Sequence, residues 1–382
     1  MKRLSLLLIS LALFCGAHPA RFAAEPSFRR TVSTLTCLDS CGFYSMDYLS
    51  DYKLGDFVSA GLDSKEKVMM AVADKLMDFS SGEVDPSTLF PAGAMQAACS
   101  AFRAFTPDGK VLYCRNFDFP FPDAASLMIR TSPRGGLASL GIASMGHVGL
   151  TGSAMGVADS DMSLLVASPY CVMDGMNRKG FAISVLALDF KDCARQYDAD
   201  KPSVMTTVLM RMLLDKCSTV EEALWMMDSV NFFADGLQEG SRVKTNYHFL
   251  LADASGKAVV VEYVLEDGPG GKGEWVKSVV DLPYATNFFL SPGWEGLEKK
   301  DARFLRISQA FDSDRAVMGE NEAFELLAAV AQNDTRPLRS RTLWSVVYNL
   351  TDRTAAVLPA GGSGQVLRFS LKGRRSFTRP QR

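Results

Sequence analysis

Three pairs of strand-like runs, each pair joined by a turn, do most to constrain the fold of this chain. Residues 99–105 and 110–115 flank Thr106-Pro107-Asp108-Gly109, and 248–252 and 257–263 flank Asp253-Ala254-Ser255-Gly256. Residues 344–350 and 354–358 flank Thr351-Asp352-Arg353. Short, turn-rich connectors between such runs predict antiparallel hairpins. The run 180–188 (GFAISVLAL) is apolar without alternation, which predicts a strand buried on both faces. Helical patterns at 203–217, 219–230, 301–311 and 320–332 lie between them, and Thr219-Val220-Glu221-Glu222 offers an N-cap with an acidic first turn. Hairpins grouped around consecutive helices predict a layered α+β fold rather than alternating βαβ units.

The first 98 residues read differently. Lys2-Arg3 precedes the apolar run 4–14 (LSLLLISLALF), and Gly16, Ala17 and Ala20 follow. This is the three-part form of a secretory signal peptide, 1–24, with cleavage expected between 17 and 24. The run is shorter than the roughly 20 residues a span needs, so no stable membrane span is expected once the signal is removed. Cys15 follows the bulky Phe14, which argues against lipidation. The expected destination is secreted or periplasmic, and lysosomal or extracellular in a eukaryotic source. In 64–79, Val68, Met69, Val72, Leu76 and Met77 recur near helical spacing behind a capping Ser64. Lys67 stands where a full capping box needs Glu or Gln. A stretch rich in Gly, Pro and Ser fills 80–93. Residues 25–98 are therefore expected to be a mostly helical pro-segment ending in an exposed loop.

Charge and cysteine content narrow the function classes. The 41 basic and 43 acidic residues leave a net charge of −2, which argues against nucleic-acid wrapping. At 47% hydrophobic residues the chain is far from the disordered class. Eight cysteines in 382 residues are too few for a disulfide-built scaffold. Cys37-x3-Cys41 has no second pair or nearby histidine, so no metal site is expected. Gly268-Pro269-Gly270-Gly271-Lys272-Gly273 lacks the Ser or Thr of a phosphate loop and reads as a hairpin tip. No cofactor is implied, and homo-oligomerisation stays open.

The chemistry concentrates at 99–118. The first hairpin brings the strand ending at Arg115 alongside the one beginning at Cys99, with Asp118 just beyond. A cysteine is a strong nucleophile only as thiolate, and a nearby cation favours that form. The usual partner is histidine, but the chain has only His18, His147 and His248, none in a cysteine-protease signature. A free α-amino group, with an ordinary pKa of about 7.7–8.0, can serve as base instead. A cut between Ala98 and Cys99 would supply it, with Asp118 placed to hold it.

The pattern Cys99-x15-Arg115-x2-Asp118, ending Arg115-Asn116-Phe117-Asp118-Phe119, resembles the N-terminal nucleophile hydrolases of the linear amide C–N hydrolase type. That group includes choloylglycine hydrolases, penicillin V acylases and acid ceramidase-like amidases, and it borders the penicillin acyltransferases. Three further segments in the same order resemble theirs: Asp174-Gly175-Met176-Asn177-Arg178-Lys179-Gly180-Phe181, Tyr284-Ala285-Thr286-Asn287-Phe288 and Asp301-Ala302-Arg303-Phe304-Leu305-Arg306. The resemblance implies a four-layer αββα sandwich over 99–382. It implies Cys99 as nucleophile and, through its amine, base. Arg115 and Asp118 would position these groups, Asn287 would be an oxyanion donor and Arg303 an electrostatic support. Ala187 stands where bile salt hydrolases carry a second asparagine, so there only a backbone N–H is left as oxyanion donor. The expected activity is hydrolysis of a small-molecule amide with an apolar acyl group, after autocleavage at Ala98–Cys99. Acyl transfer on the same fold, or an inactive exported binding protein, are the alternatives.

Overall fold

The computed structural model describes residues 26–39, 42–77, 98–120, 124–148, 150, 164–190, 192–234, 244–267, 273–333, 340–359 and 364–372. The expected signal peptide, the 80–93 loop, the tip at 268–272, Phe121 and the chain beyond 372 lie outside them.

The described N-terminal part contains α1 (Pro26–Val32), β1 (Thr36–Cys37), β2 (Phe43–Tyr48), α2 (Leu54–Ser59) and α3 (Lys65–Met77). Next come the hairpin β3 (Ser100–Phe105) and β4 (Val111–Phe119), and then β5 (Ser126–Thr131), β6 (Ser139–Ser144), β7 (Val172–Asn177) and β8 (Ala182–Phe190). β9 (Ser203–Met205), α4 (Thr206–Lys216), α5 (Val220–Asp228) and β10 (Asn231–Phe233) follow. β11 (Lys244–Ala252), β12 (Ala258–Asp267), β13 (Gly273–Val280) and β14 (Tyr284–Ala285) precede α6 (Ala302–Ser308) and α7 (Glu320–Ala329). The described chain closes with β15 (Arg341–Asn349), β16 (Thr354–Pro359) and β17 (Leu367–Ser370).

This is a mixed α/β fold with several sheets. One has nine strands in the order β1-β2-β5-β6-β7-β8-β11-β12-β13, and another has six in the order β14-β3-β4-β15-β16-β17. The three expected hairpins are β3–β4, β11–β12 and β15–β16, all antiparallel. Alternation along β4 shows how the layers form, because successive side chains leave opposite faces of a strand. Val111, Tyr113, Phe117 and Phe119 enter the core shared with the nine-stranded sheet. Leu112 and Cys114 enter a second core with Phe304, Ile307, Leu326 and Leu327 of α6 and α7. α4 packs against β7 and β8 of the nine-stranded sheet. The Tyr113 hydroxyl donates to the Leu250 carbonyl at 2.9 Å, crossing from one sheet to the other. Gly180 makes the turn into β8 at φ +84, where a Cβ would collide with the Leu350 carbonyl oxygen of the facing sheet.

Two local readings change. The helix expected from 203 begins at Thr206, because Ser203–Met205 pairs in parallel with Asn231–Phe233 instead. The 25–98 segment also carries strands. Phe43, Tyr44, Met46 and Tyr48 of β2 are all buried, so that strand shows no alternation to read. It pairs in parallel with β5 and carries β1 on its other side. Phe28, Phe43, Met46, Tyr48, Phe57 and Val72 all join the shared core. Burial of each such side chain is worth about 1.5–3 kcal/mol, on the order of 10 kcal/mol together as an upper figure. The N-terminal part is therefore built into the main fold. Thr219 caps α5 as expected, accepting from Glu222 N at 3.2 Å, and Ser64 accepts from Lys67 N at 3.2 Å. Among the described residues no helix is long and apolar enough to cross a membrane.

Candidate active site

Cys99 stands immediately before β3 and is almost wholly buried. The β3–β4 register pairs Ser100 with Asn116 and Ala101 with Arg115, so Arg115 lies on the same face as Cys99, toward the facing sheet. Its Nη2 donates to Cys99 Sγ at 3.3 Å. Its Nη1 donates to the Met173 carbonyl at 2.7 Å, and its Nε lies 3.4 Å from Asp174 Oδ2. One planar guanidinium thus bridges the nucleophile of one sheet and strand β7 of the other, which a point-like ammonium cannot do. Burial pushes the Cys99 thiol up, while Arg115 and the Asp118 backbone N–H pull it back toward the thiolate.

Asp118 lies on the opposite face of β4 from Arg115, because side chains alternate along a strand. Thr342 Oγ1 donates to Asp118 Oδ1 at 2.5 Å. Oδ2 is buried without a hydrogen bond, its nearest cation being Arg303 Nη1 at 4.0 Å. A bulge in β15 brings this about. Thr342 pairs with Asp118 and Trp344 with Phe117, so residues two apart on β15 meet adjacent residues of β4. The extra Leu343 therefore sends Thr342 and Trp344 to opposite faces. Trp344 stacks on Phe117 at 4.2 Å and donates from Nε1 to Asp174 at 2.9 Å. The Tyr348 hydroxyl donates to the other Asp174 oxygen at 2.6 Å.

Burial raises the Asp118 carboxyl from its ordinary value to about 7, with Thr342, Arg303 and Arg115 pulling against it. A carboxyl raised in the folded state makes the fold bind extra protons. Its contribution is full below about pH 4 and is lost as pH rises through about 7. The uncut Cys99→Ala chain is accordingly expected to lose stability between pH 4.5 and 7.5 relative to Cys99→Ala/Asp118→Asn. Urea midpoints at the two pH values check this, and parallel curves for the two chains would refute it.

Asn287 and Arg303 meet on the other side of Cys99. Arg303 Nη1 donates to the Cys99 carbonyl at 2.9 Å and to Asn287 Oδ1 at 3.1 Å. Its Nη2 donates to Asp301 at 2.8 Å. A cation in a helix's first turn opposes the dipole. Here Asp301 offsets it while capping α6, accepting from the backbone N–H groups of Arg303 and Phe304. Arg303 is turned inward, not out to solvent as its charged neighbours suggest. Asn287 Nδ2 donates to the Ala187 carbonyl at 2.8 Å. The β7–β8 pairing ends at Asp174–Ser184, so β8 at Ala187 has lost its neighbour on that side. In an extended strand a residue's N–H and C=O point to the same side, so the Ala187 N–H also faces the Asn287 side.

The structure thus brings Cys99, Arg115, Asp118, Asn287, Arg303 and Ala187 together. Beside them Asn287, Phe288, Leu297, Lys300, Arg303 and Gln332 line a groove of about 430 Å³. His248 is elsewhere: its ring nitrogens bind the Thr286 carbonyl and Glu262. Phe117 and Phe119 are core residues stacked on each other at 5.5 Å. Asp174, Thr342, Trp344 and Tyr348 escaped the sequence reading as site residues. Trp344 and Tyr348 at an even spacing on one strand, and an acidic residue in an apolar strand, were the available signals. Among the described residues no cluster of three His, Cys, Asp or Glu side chains is placed for a metal.

The family described as linear amide C–N hydrolases, choloylglycine hydrolase family, matches residues 99–268. One variant structure of a conjugated bile acid hydrolase from Clostridium perfringens superposes with a TM-score of 0.51 at 14% identity, covering 72% of this chain and 94% of that one. A second variant of the same protein gives 0.49 at 16% identity, covering 72% and 93%. Penicillin V acylase from Agrobacterium tumefaciens gives 0.46 at 18%, covering 72% and 86%. No protein with a curated description matches the chain.

Proposed function

Because residues 99–268 belong to the linear amide C–N hydrolases of the choloylglycine hydrolase family, and the chain is thereby a hydrolase of linear amide carbon–nitrogen bonds, we propose that it is an exported, self-processing amidase. Cys99 is its nucleophile. The observation that carries this reading is the pairing of Arg115 Nη2 with Cys99 Sγ beside a buried Asp118 oxygen that accepts no hydrogen bond. An α-ammonium created at Cys99 by cleavage would satisfy that oxygen. The layering of helices outside two facing sheets supports the αββα hydrolase fold, and the family match begins at Cys99 itself. The leader-like run in 1–24 supports export, to a secreted or periplasmic destination.

In processing, Sγ attacks the Ala98 carbonyl, the Ala98–Cys99 C–N bond breaks to free the Cys99 amine, and water hydrolyses the resulting thioester to release the Ala98 carboxylate and the thiol. In turnover the amine takes the thiol proton as Sγ attacks the substrate carbonyl. The second hydrogen of the Asn287 amide and the Ala187 N–H stabilise the oxyanion. The amine passes the proton to the leaving nitrogen, and water then hydrolyses the thioester to release the acid. Arg303 holds the Cys99 carbonyl and the Asn287 amide in register. The substrate class is an N-acyl amine or bile-salt-like amide with an apolar acyl group.

Purified protein should show an N-terminus at Cys99, with the upstream fragment co-eluting until denaturant releases it, because β2 is an interior strand of the nine-stranded sheet. It should hydrolyse at least one amide in a panel of N-acyl amines, conjugated bile acids and penicillin V. An added acceptor amine separates hydrolysis from acyl transfer by the product formed. Fully active protein with an intact 98–99 bond would refute the N-terminal mechanism.

A further inference from the structure

We infer that His248 and Glu262 are positioning residues that clamp the segment carrying Asn287, an inference that rests on the amidase reading above. Residues 286–291 belong to no helix or strand, so their backbone groups must find partners elsewhere. They find them in one buried pair. The Thr286 carbonyl accepts from His248 Nε2 at 2.6 Å. Leu290 N and Ser291 N each donate to the Glu262 carboxylate at 2.9 Å, and Ser291 Oγ donates to it at 2.6 Å. His248 Nδ1 and Glu262 Oε1 are 2.9 Å apart, and both side chains are wholly buried. They stand on neighbouring strands β11 and β12, one step beyond the pair Phe249–Val261.

Chemistry fixes the roles. A carbonyl oxygen only accepts, so His248 Nε2 carries a hydrogen. Burial pushes the Glu262 carboxyl up, but His248, Ser291 and the Leu290 N–H outweigh it and hold the group below its ordinary value. It stays a carboxylate that accepts from Leu290 and Ser291 at one end of the segment and stands against His248, which holds the other. His248 thus fixes the residue just before Asn287, and Glu262 fixes the segment three and four residues after it. Both ring nitrogens are used up away from Cys99, so His248 is not the base for the thiol. The Asn287 amide, sitting on irregular backbone, depends on this clamp to stay near Ala187 and Cys99. An oxyanion donor must be held within about 0.5 Å of its productive place.

The test compares wild type with His248→Asn and Ser291→Ala. The shorter amide of His248→Asn still reaches toward Glu262 but not the Thr286 carbonyl. Three readouts are taken on processed enzyme: kcat and KM for an N-acyl amide, affinity for the matching acyl aldehyde, and the rate of Cys99 alkylation by iodoacetamide. The aldehyde adds to Sγ and forms an oxyanion, whereas alkylation displaces iodide from carbon and forms none. Misplacing the donor by about 1 Å should lower kcat on the order of 10²-fold in His248→Asn, with aldehyde affinity falling in parallel. KM and the alkylation rate should stay within about threefold. Ser291→Ala should show the same pattern with smaller losses, and it decides the matter if His248→Asn fails to fold. Unchanged kcat in the folded variants, or alkylation falling in step with turnover, overturns the clamp. A wild type that is alkylated at Cys99 yet cleaves no amide overturns the amidase reading instead.

Discussion

Cys99→Ala is expected to leave the Ala98–Cys99 bond intact and to abolish amide turnover. The other buried cysteines among the described residues are core residues. Cys114 leaves the far face of β4 for the helix-side core, and Cys171 and Cys217 are buried in the main core. Their thiols are pushed up by burial, that of Cys171 to about 12. Losing a covalent nucleophile that works as a unit with its base costs on the order of 10⁶-fold in kcat. Cys99→Ser should cut slowly and hydrolyse poorly, because the hydroxyl is a weaker nucleophile at this amine's basicity. The intact mass, N-terminal sequencing and turnover are read on the same preparations. Normal turnover in Cys99→Ala would remove the nucleophile assignment and everything built on it.

Asp118→Asn should lower kcat by on the order of 10²–10³-fold, the loss typical of one preorganised electrostatic contact. It keeps the shape and the Thr342 bond but removes the charge facing the amine. Because the carboxyl is raised to about 7 before cleavage, its neutral isostere should fold at least as well at neutral pH. The sign of the stability change and the sign of the activity change therefore differ. Arg115→Lys should lose a similar factor for another reason. The guanidinium serves Cys99, Met173 and Asp174 with three separate nitrogens, and one ammonium cannot reach all three. It should also lose stability, since Asp174 would keep a poorly matched buried counter-charge. Turnover of Asp118→Asn within about threefold of wild type, roughly 0.6 kcal/mol in barrier, would leave Asp118 a structural residue only.

Much of the candidate site was legible because its chemistry is local. Cys99, Arg115 and Asp118 sit on one hairpin whose turn and strand pattern can be read directly, and the register follows from the turn length. The faces could not be read. Arg115 and Asp118, three apart on a strand, point to opposite sides, but which side meets the facing sheet is set only by packing. The segment 25–98 was read as helical because helix periodicity in 64–79 is plain, while β2 is buried on nearly every residue and shows no period.

The sequence by itself determined the antiparallel hairpins, the cap of α5, and the residue types that converge on Cys99. Each depends on turn chemistry, hydrophobic period or hydrogen bonding within a few residues. Tertiary structure alone decided the partners. It joined Arg115 to Asp174 across two sheets and used the bulge at Leu343 to send Thr342 and Trp344 to opposite faces. It made His248, which no local pattern marks, an anchor for Thr286. These pairings span from 38 to 224 residues of sequence. They exist only because facing sheets exclude water, so that each buried polar group must find its partner in whatever strand or loop packs against it.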